Sequence, residues 1–384
     1  MKIALDIRKI GKRQTGDEIY ITNLIKNLAQ IDSRNSYYLC TDSYEGESIA
    51  KRILRKLPKN FKIVTLTPGN KIFWTQYSLA KFVKEKKIDL VHVQYITPLR
   101  LPKKTKLITT IHDISFLKHP EYIQFIDRLL LNFFIPRSLK RADHIIAVSN
   151  FTKNEITKNY KTPSSKISTV YNGINKENFK PLREFKNEFI NKIRKKYNLF
   201  YRYILNISSL QPRKNLPFLI EAFNNYISFY KDDETVLVIG GEKARNYDER
   251  IDEILEQNPV LRERVKLIGY IKNEELPVVY AMAHLYVSPS IYEGFNLPLA
   301  EVMKSEVPIM ASNLSCHKEI VQDAGILFNI KHNKNKFVSQ LHKAIHNKSL
   351  RKKLIENGLQ NIERFDWETC AKETLQIYEG ILKR

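Results

Sequence analysis

The chain has 384 residues, enough for two or three domains, and 43% of them are hydrophobic, which excludes collagen, a coiled coil and a disordered chain. Its 64 lysines and arginines exceed its 41 aspartates and glutamates, and the formal net charge is +23 at pH 7. The first residues lack the apolar stretch of a signal peptide, and no apolar run reaches the roughly 20 residues that cross a bilayer. Cys40, Cys316 and Cys370 are too scattered for a disulfide framework or a structural zinc site. These features predict a cytoplasmic protein.

The excess charge lies mostly in the first half of the chain. Residues 1–175 hold 31 basic and 14 acidic residues, a net of +17, whereas residues 176–384 hold 33 and 27, a net of +6. Residues 51–150 alone hold 20 basic and 6 acidic residues. A positive face of this kind attracts nucleic acid, an anionic membrane or a phosphorylated substrate. A merely solvated surface is at least as good an interpretation.

Apolar runs alternate with helical patterns through the first half. Strands are predicted at residues 3–7, 37–41, 61–66, 90–94, 107–111 and 144–148, and helices follow the first strand and lie at 73–86, 126–141 and about 150–160. Runs of this kind between helices are typical of a parallel sheet that is covered on both faces. Residues 1–175 therefore predict a Rossmann-like domain.

A charged segment, residues 176–202, interrupts this rhythm and is predicted to be a linker. Strands resume at residues 203–207, 236–239, 265–268, 285–287, 308–310 and 326–328, with helices between them that include 216–230 and 297–304. Residues 203–365 thus predict a second Rossmann-like domain, and residues 366–384 a closing helix. The predicted fold class is α/β, with two doubly wound domains that face each other across a cleft.

The run from Tyr292 to Glu301 is the strongest local signal. Glu293 follows a predicted strand, and Pro298 suits the first turn of the next helix, so residues 294–297 are expected at a helix N-terminus. Amide groups there suit a phosphate, and the Glu293 and Glu301 carboxylates suit sugar hydroxyls. A solvated turn is the alternative, which spacing alone favours.

Two further candidates stand at the carboxyl ends of predicted strands. Arg213 and Lys214 follow the first strand of the second half, where they could neutralise a diphosphate leaving group. His112 follows a strand of the first half, where it could donate a hydrogen bond to a sugar or contact an acceptor. A lone histidine is more often structural.

Several common motifs are missing from the sequence. It contains no P-loop, no G-x-S-x-G, no H-E-x-x-H and no G-x-G-x-x-G in its first loop, which disfavours P-loop kinases, serine hydrolases, zincins and standard NAD enzymes. No D-x-D follows a strand to hold Mg²⁺ on a sugar diphosphate. We therefore predict no cofactor and no essential metal, with charge neutralisation left to Arg213, Lys214 and helix dipoles.

Taken in order, these motifs resemble glycosyltransferase family 4, whose retaining enzymes have the GT-B fold. The resemblance covers nearly the whole chain. It is carried by Asp6-Ile7-Arg8 with Gly16, Trp74-Thr75-Gln76 through His92, Ile111-His112-Asp113 with His119-Pro120-Glu121-Tyr122, Ala142-Asp143 through Val148-Ser149, Tyr171-Asn172-Gly173-Ile174, Arg213-Lys214-Asn215, and Glu293 with Glu301.

The resemblance implies a role for each matched residue. Arg213 and Lys214 would hold the donor diphosphate. Glu293 would bind the hexose hydroxyls, Glu301 the ribose hydroxyls, and His112 the sugar. The remaining donor-binding positions implied are Gly16 in the N-terminal loop and Gly294, Phe295, Asn296 and Leu297. Retention is implied to follow a same-face route in which the leaving phosphate helps to deprotonate the acceptor, so no nucleophile is assigned.

Four positions depart from the family's pattern. Gly16 is followed by Asp17-Glu18 rather than by a second glycine, which puts close backbone approach there in doubt. Asn296 stands at a usual glycine, and because asparagine tolerates the left-handed conformation we expect the turn to survive. Glu306 stands at a glycine expected at a helix end, where a positive φ is common. His317 begins a segment where Leu-Pro-Glu is frequent.

The pattern, with Phe116-Leu117 after His112-Asp113, is most similar to mannosyltransferase-like members that act on cell-envelope polysaccharides. It implies a retaining hexosyltransferase with GDP-mannose as donor and a lipid-linked or polysaccharide acceptor. UDP-sugars stay open as donors. Two alternatives of other classes are a basic nucleic-acid-binding protein, for which no module is recognisable, and an inactive scaffold of the same fold.

The positive charge of the first half gains a more specific interpretation from this resemblance. On a predicted acceptor domain it would attract the anionic cytoplasmic leaflet. Phe73, Trp74, Tyr77 and Phe82, interleaved with lysines, could add an interfacial contact. The same helix must also pack on its sheet. We predict a nucleotide-sugar donor, a saccharide acceptor and a peripheral membrane contact as partners, and no nucleic acid.

Overall fold

The computed structural model of the chain describes residues 1–11, 15–68, 71–243, 246–331 and 334–383. They divide into two units. The first consists of Met1–Pro120, Gln124–Gly173 and Phe365–Arg384, and the second of Glu121–Ile123 and Ile174–Arg364. No helix within the described ranges is long and apolar enough to cross a membrane.

A parallel sheet of seven described strands forms the centre of the first unit. The order across it is β3-β2-β1-β4-β5-β6-β7. The central strands are buried on both faces, as the apolar runs predicted. The last strand is only three residues long and was not predicted. The strands are β1 Lys2–Asp6, β2 Ser36–Thr41, β3 Phe61–Thr65, β4 Leu90–Gln94, β5 Lys106–Ile111, β6 His144–Ala147 and β7 Ile167–Thr169.

Helices connect these strands. Ser149 caps the last of them by accepting a hydrogen bond from the Thr152 amide at 3.0 Å. A five-residue π-helical turn, Trp74–Ser78, joins α3 to α4 and buries Trp74 completely. The second helix was not predicted. The helices are α1 Gly16–Ile31, α2 Tyr44–Ile53, α3 Lys71–Phe73, α4 Leu79–Lys86, α5 Ser115–Lys118, α6 Phe125–Arg141 and α7 Asn150–Tyr160.

The second unit is built in the same way around six described parallel strands. Their order is β10-β9-β8-β11-β12-β13, so the order reverses between β8 and β11. The strands are β8 Tyr203–Ile207, β9 Val236–Gly240, β10 Val265–Gly269, β11 Leu285–Ser288, β12 Ile309–Ser312 and β13 Gly325–Phe328. The helices are α8 Asn187–Tyr197, α9 Leu216–Tyr230, α10 Arg250–Gln257, α11 Pro259–Arg264, α12 Leu276–Ala281, α13 Leu297–Lys304, α14 His317–Val321, α15 Lys334–His346 and α16 Lys348–Asn361.

Residues 176–202, which the sequence analysis treats as a linker, are part of the second unit. Helix α8 lies within them and buries Ile190, Ile193 and Tyr197. The Tyr197 hydroxyl donates to Glu275 at 2.6 Å, and the Lys196 ammonium binds the same carboxylate at 2.6 Å. The composition of the segment did not indicate a helix, because the lysines and asparagines lie on the solvent face of an amphipathic pattern.

The closing helix α17, Trp367–Leu382, belongs to the first unit and packs against α1. Asp366 caps it by accepting a hydrogen bond from the Thr369 amide at 2.8 Å. The Tyr378 hydroxyl lies 2.6 Å from His92 Nδ1. At Gly173 a Cβ would lie 2.2 Å from the Trp367 amide nitrogen, so only glycine permits this approach.

Candidate active site

Two loops of the second unit lie side by side where its strand order reverses. The loop after β8 contains a short 3₁₀ helix, Pro212–Lys214, and the loop after β11 leads to α13. The Ile291 amide donates to the Arg213 carbonyl at 2.8 Å and ties the two loops together. Ligands of doubly wound sheets bind at such a reversal, beyond the carboxyl ends of the strands.

Glu293 is buried between Arg213 and Lys214. Arg213 Nη1 donates to Glu293 Oε2 at 2.8 Å and to the Tyr292 carbonyl at 3.1 Å, and the Lys214 ammonium donates to Glu293 Oε1. Burial alone would raise the pKa of Glu293, but the charges of Lys214 and Arg213 outweigh it and hold this pKa well below its usual range. The structure thus brings together a carboxylate and two cations that the sequence could only name separately.

The segment from Gly294 to Leu297 leads into α13 as the sequence predicts. Asn296 has φ 67° and precedes the helix, and Pro298 lies in the first turn. Gly294, Phe295 and Leu297 are buried. A helix start leaves amide groups without acceptors inside the helix, which suits an anion. At the far end of the helix Glu306 has φ 58°, the positive value expected there.

Glu301 lies one turn into α13 in a different environment. It is only 8% exposed, and burial raises its pKa to about 7, while Tyr280 opposes that rise. Burial raises the pKa of Tyr286, a residue of strand β11, and the charges of Glu293 and Glu301 add to this rise. The Tyr286 hydroxyl donates to the Ile207 carbonyl at 3.1 Å. Both carboxylates thus act electrostatically on the same tyrosine of β11.

His112 belongs to the first unit, directly after β5. Its Nε2 lies 2.6 Å from Gln94 Oε1 and 3.9 Å from Asp17 Oδ1, and its ring meets Tyr20 edge to face. Burial lowers the pKa of His112, although Asp17 and Asp113 oppose this effect. Burial thus favours the neutral form of the imidazole. Gln94 was missed because nothing in its own strand marks it as a partner of a residue 18 positions later.

Gly16 begins α1 in the same unit. A Cβ at this position would meet nothing within 4 Å. The acidic pair after it is engaged locally, since Asp17 lies 3.2 Å from the Lys9 ammonium and Glu18 accepts from the Gly11 amide at 2.7 Å. Residues 12–14 of this loop lie outside the described residues.

A cavity of about 480 Å³ opens beside the paired loops of the second unit. It lies past the ends of β8, β9 and β10. Its lining consists of Leu210, Gly241, Glu242, Lys243, Leu267, Gly269 and Tyr270.

Among the residues with described positions, no three of the His, Cys, Asp or Glu type are grouped so as to hold a metal ion.

Two family models match the chain. The model described as Glycosyltransferase Family 4 matches residues 15–178, and the model described as Glycosyl transferases group 1 matches residues 189–361. O-antigen chain mannosyltransferase B of Escherichia coli is 28% identical over 280 residues, which are 71% of this chain and 70% of that protein. O-antigen chain mannosyltransferase RfbU of Salmonella typhimurium is 26% identical over 338 residues, 85% of this chain and 86% of that protein.

A solved structure shares the whole architecture. HepE of Anabaena, solved in complex with UDP and glucose, superposes with a TM-score of 0.75 at 18% identity and covers 99% of this chain and 100% of that one. This likeness identifies the fold as GT-B. With family models over both units and related glycosyltransferases along most of its length, the chain belongs to glycosyltransferase family 4 and is a glycosyltransferase.

Proposed function

We propose that this enzyme transfers a hexose, with retention of configuration, from a nucleotide sugar to a lipid-linked or polysaccharide acceptor in cell-envelope glycan synthesis. The observation that carries the proposal is the buried Glu293 carboxylate held by Arg213 and Lys214 at the switch point of the second sheet. Two curated relatives are named as O-antigen chain mannosyltransferases, which supports mannose as the hexose and GDP-mannose as the donor.

The paired cations explain how the leaving group would be stabilised. As the anomeric C–O bond breaks, negative charge grows on the departing diphosphate, and Arg213 and Lys214 would meet it in a desolvated site. Glu293 keeps both cations in place before the donor binds and then accepts hydrogen bonds from hexose hydroxyls. The N-terminus of α13 would add its amides, and Glu301 would accept from ribose hydroxyls.

The acceptor side would need no enzymatic nucleophile. The acceptor hydroxyl attacks the face from which the diphosphate departs, and its proton passes to the leaving phosphate oxygen. His112 would contribute as a neutral ring. With Nε2–H donating to Gln94, its Nδ1 carries the lone pair that can accept a hydrogen bond from a sugar hydroxyl.

Donor turnover tests this function. Purified protein is incubated with GDP-mannose and with UDP-hexoses, and release of the nucleoside diphosphate is followed. We expect release from at least one donor, and loss of that release in Glu293→Ala and Lys214→Ala. Glu263→Ala, an exposed carboxylate of the same unit, is the matched control. Absence of binding and turnover with every donor would contradict the proposal, and binding without transfer would favour an inactive scaffold.

The cavity beside the loops suggests which base the donor carries. We propose that it holds the nucleobase and that Glu242, exposed on its lining, accepts hydrogen bonds from guanine. Guanine presents two adjacent N–H groups to a carboxylate, whereas uracil presents one. The neighbouring Lys243 is engaged by Asp252 at 2.6 Å. Glu242→Gln should therefore weaken binding of GDP about tenfold and of UDP far less, measured by calorimetry with Glu263→Gln as control. Equal losses would contradict this assignment.

The structure changes which surface we propose for membrane contact. On the helix named from the sequence, Trp74 and Phe82 are buried in the core, and only Phe73 and Tyr77 are substantially exposed. Helix α6 is different, because its solvent face carries four large exposed apolar side chains. They are Phe125 at 70%, Ile126 at 71%, Leu129 at 52% and Phe133 at 48% exposure.

Exposed cations share that face of α6. Arg128, Arg137 and Lys140 are exposed, and the Arg137 guanidinium lies 3.6 Å from the centroid of the Phe133 ring. Apolar side chains flanked by arginines fit an anionic bilayer surface. A second copy of a chain with net charge +23 would bring like charges to the same place. We propose that α6 contacts the cytoplasmic leaflet where a lipid-linked acceptor resides.

Vesicle sedimentation tests this contact. The intact protein should sediment with phosphatidylcholine vesicles that contain phosphatidylglycerol, and less with phosphatidylcholine alone. The triple variant Phe125→Ser/Leu129→Ser/Phe133→Ser should lose this binding and keep donor turnover. Phe229→Ser, which removes an aromatic ring that is 75% exposed in the second unit, is the control. Unchanged binding in the triple variant, or a dimer that dissociates in it, would contradict the membrane assignment.

A further inference from the structure

Asn296 and His317 are joined behind the loop that carries Glu293. The Asn296 amide nitrogen lies 2.8 Å from His317 Nε2 and 2.9 Å from Ser288 Oγ. His317 is fully buried at the start of α14, and Asn296 is the last residue before α13. Both residues depart from the pattern of the family that the sequence resembles, one at a usual glycine and the other at a frequent leucine.

The contacts of His317 fix which groups donate. Its Nδ1 lies 3.0 Å from the Ser312 carbonyl, which can only accept, so Nδ1 carries the proton and Nε2 accepts. The Asn296 amide must therefore donate to Nε2. Burial lowers the pKa of His317 to about 4, although Glu293 opposes this effect, so the ring is neutral near pH 7.

The same network reaches both ends of the Glu293 loop. Ser288 ends β11 and receives one hydrogen of the Asn296 amide. Ser312 ends β12 and donates its hydroxyl hydrogen to the Ser290 carbonyl at 2.6 Å. Residues 289–296 are thus held at their start through Ser290 and at their end through Asn296, with Glu293 between these two attachments.

We propose that Asn296 and His317 act as a coupled positioning pair that holds Glu293 in register with Arg213, Lys214 and the donor hexose. This rests on the proposed function for its catalytic readout. Each member needs the other. Without Asn296, His317 Nε2 is a buried acceptor with its donor removed, and without His317 the amide loses its anchor on α14.

A double-mutant cycle tests the coupling. Asn296→Gly and His317→Leu should each lower kcat/KM for the donor about tenfold, a loss of about 1.4 kcal/mol each in transition-state binding. The double variant should be no worse than the worse single one, because either change already breaks the pair. A hundredfold loss in the double variant, or no loss in the singles, would overturn the pairing.

The pH dependence of activity in Asn296→Asp distinguishes a positioning role from a purely structural one. Aspartate keeps the size and the left-handed tolerance of asparagine, but its carboxylate cannot donate to Nε2. The ring must then take up a proton to restore the contact, within reach of the charges of Glu293 and Lys214. Activity of this variant should therefore recover as the pH falls from 8 to 6, whereas wild type and the exposed control Asn313→Asp should show no such recovery. A parallel profile in all three would overturn the proposal.

Hydrogen exchange in the absence of donor separates this proposal from the proposed function. Amides of residues 290–297 should exchange faster in both single variants and no faster still in the double variant. If wild type turns over no nucleotide sugar while this coupling of exchange holds, the proposed function fails and the positioning pair stands. If turnover is normal and exchange in the loop is unaffected, the pair fails and the function stands.

Discussion

Glu293 and Glu301 lie eight residues apart, both almost fully buried, and their pKa values move in opposite directions. Burial raises both. Glu293 also has two cations within hydrogen-bonding distance, supplied by a loop about 80 residues earlier, and they reverse the effect. At Glu301 burial outweighs the opposing effect of Tyr280, and the pKa stays raised to about 7. The difference shows that the charge of a buried carboxylate is decided by the partners that the fold brings to it, not by its depth.

The two carboxylates would therefore behave differently during a catalytic cycle. Burial at Glu293 is outweighed by Lys214 and Arg213, which hold the pKa of this carboxylate well below its usual range, so its ion pairs and the contact that we propose with hexose hydroxyls would not change across neutral pH. Burial raises the pKa of Glu301 to about 7, so the contact that we propose with ribose hydroxyls would strengthen as this carboxyl ionises with rising pH. One of the two is a fixed charge, and the other titrates.

Glu293→Gln should have the largest effect of all. The change keeps the volume but removes the charge that holds Arg213 and Lys214, and it would weaken the contact that we propose with the hexose. We expect kcat/KM to fall by about two to three orders of magnitude, comparable with the loss of an electrostatic group from an active site. Steady-state release of the nucleoside diphosphate measures it, with Glu263→Gln as control. A loss under tenfold would remove Glu293 from the reaction.

Glu301→Gln should act on the pH dependence of stability. A carboxyl with a pKa near 4.5 when unfolded and about 7 when folded binds its proton more tightly in the folded state. Its contribution is present below pH 4.5 and is lost as the pH rises to 7, a change of about 3 kcal/mol. Urea unfolding of wild type and variant at pH 5 and pH 8 should show that the free energy of unfolding of the wild type falls by about 2.5 kcal/mol more than that of the variant. Parallel pH profiles would show that Glu301 titrates normally.

Lys214→Met should move the pKa of Glu293 upward, toward the raised pKa of Glu301. With one of its two cations gone, the buried carboxylate keeps only Arg213, so its pKa should rise and the unfolding free energy at pH 7 should fall by about 2 kcal/mol. Lys51→Met, which removes an exposed lysine of a surface ion pair, should change it by less than about 1 kcal/mol. Equal effects of the two variants would mean that burial of Glu293 is not compensated by Lys214.

Tyr280→Phe should have the smallest effect. Tyr280 lowers the pKa of Glu301 against the larger effect of burial. Loss of the hydroxyl should therefore move the midpoint of the donor-affinity profile upward by about half a pH unit. Donor affinity measured by calorimetry between pH 6 and 8 would detect it. A downward movement would mean that the tyrosine acts on Glu301 in another way.

The sequence predicted the elements that long apolar runs mark, and it failed where the signal lies elsewhere. Strand β4 is predicted with its observed bounds because Leu90, Val91 and Val93 form an apolar run in a five-residue segment. Strand β7 has three residues, too few to show a periodicity. Helix α8 is rich in lysine and asparagine, so its composition is typical of a linker although one face of the helix is buried. The turn at Asn296 was predicted because asparagine tolerates a positive φ.

In the candidate site, too, the sequence predicted the residue types but not the contacts between them. The residue types of Glu293, Arg213 and Lys214 pointed to a donor site, but their mutual ion pairs depend on two loops that meet only in the folded chain. His317 was visible as a departure from a pattern, without any indication that it would accept a hydrogen bond from Asn296. Long-range pairing of side chains is the part that one sequence does not reveal.

The placement of α17 in the first unit has a consequence for how the protein is made on the ribosome. The second unit is nearly contiguous in sequence, from Ile174 to Arg364, whereas the first lacks the helix that packs on α1 until residues 367–382 have emerged. The later-encoded unit can therefore complete its core before the earlier one does. Until then the side of the first unit that packs against α17 is exposed. Tyr20 lacks its ring contact with Trp367, and His92 lacks its hydrogen bond with Tyr378. A fragment that stops at Gly173 would carry that exposed surface permanently, so exchange of the second unit between relatives calls for replacement of an internal segment rather than of everything after Gly173.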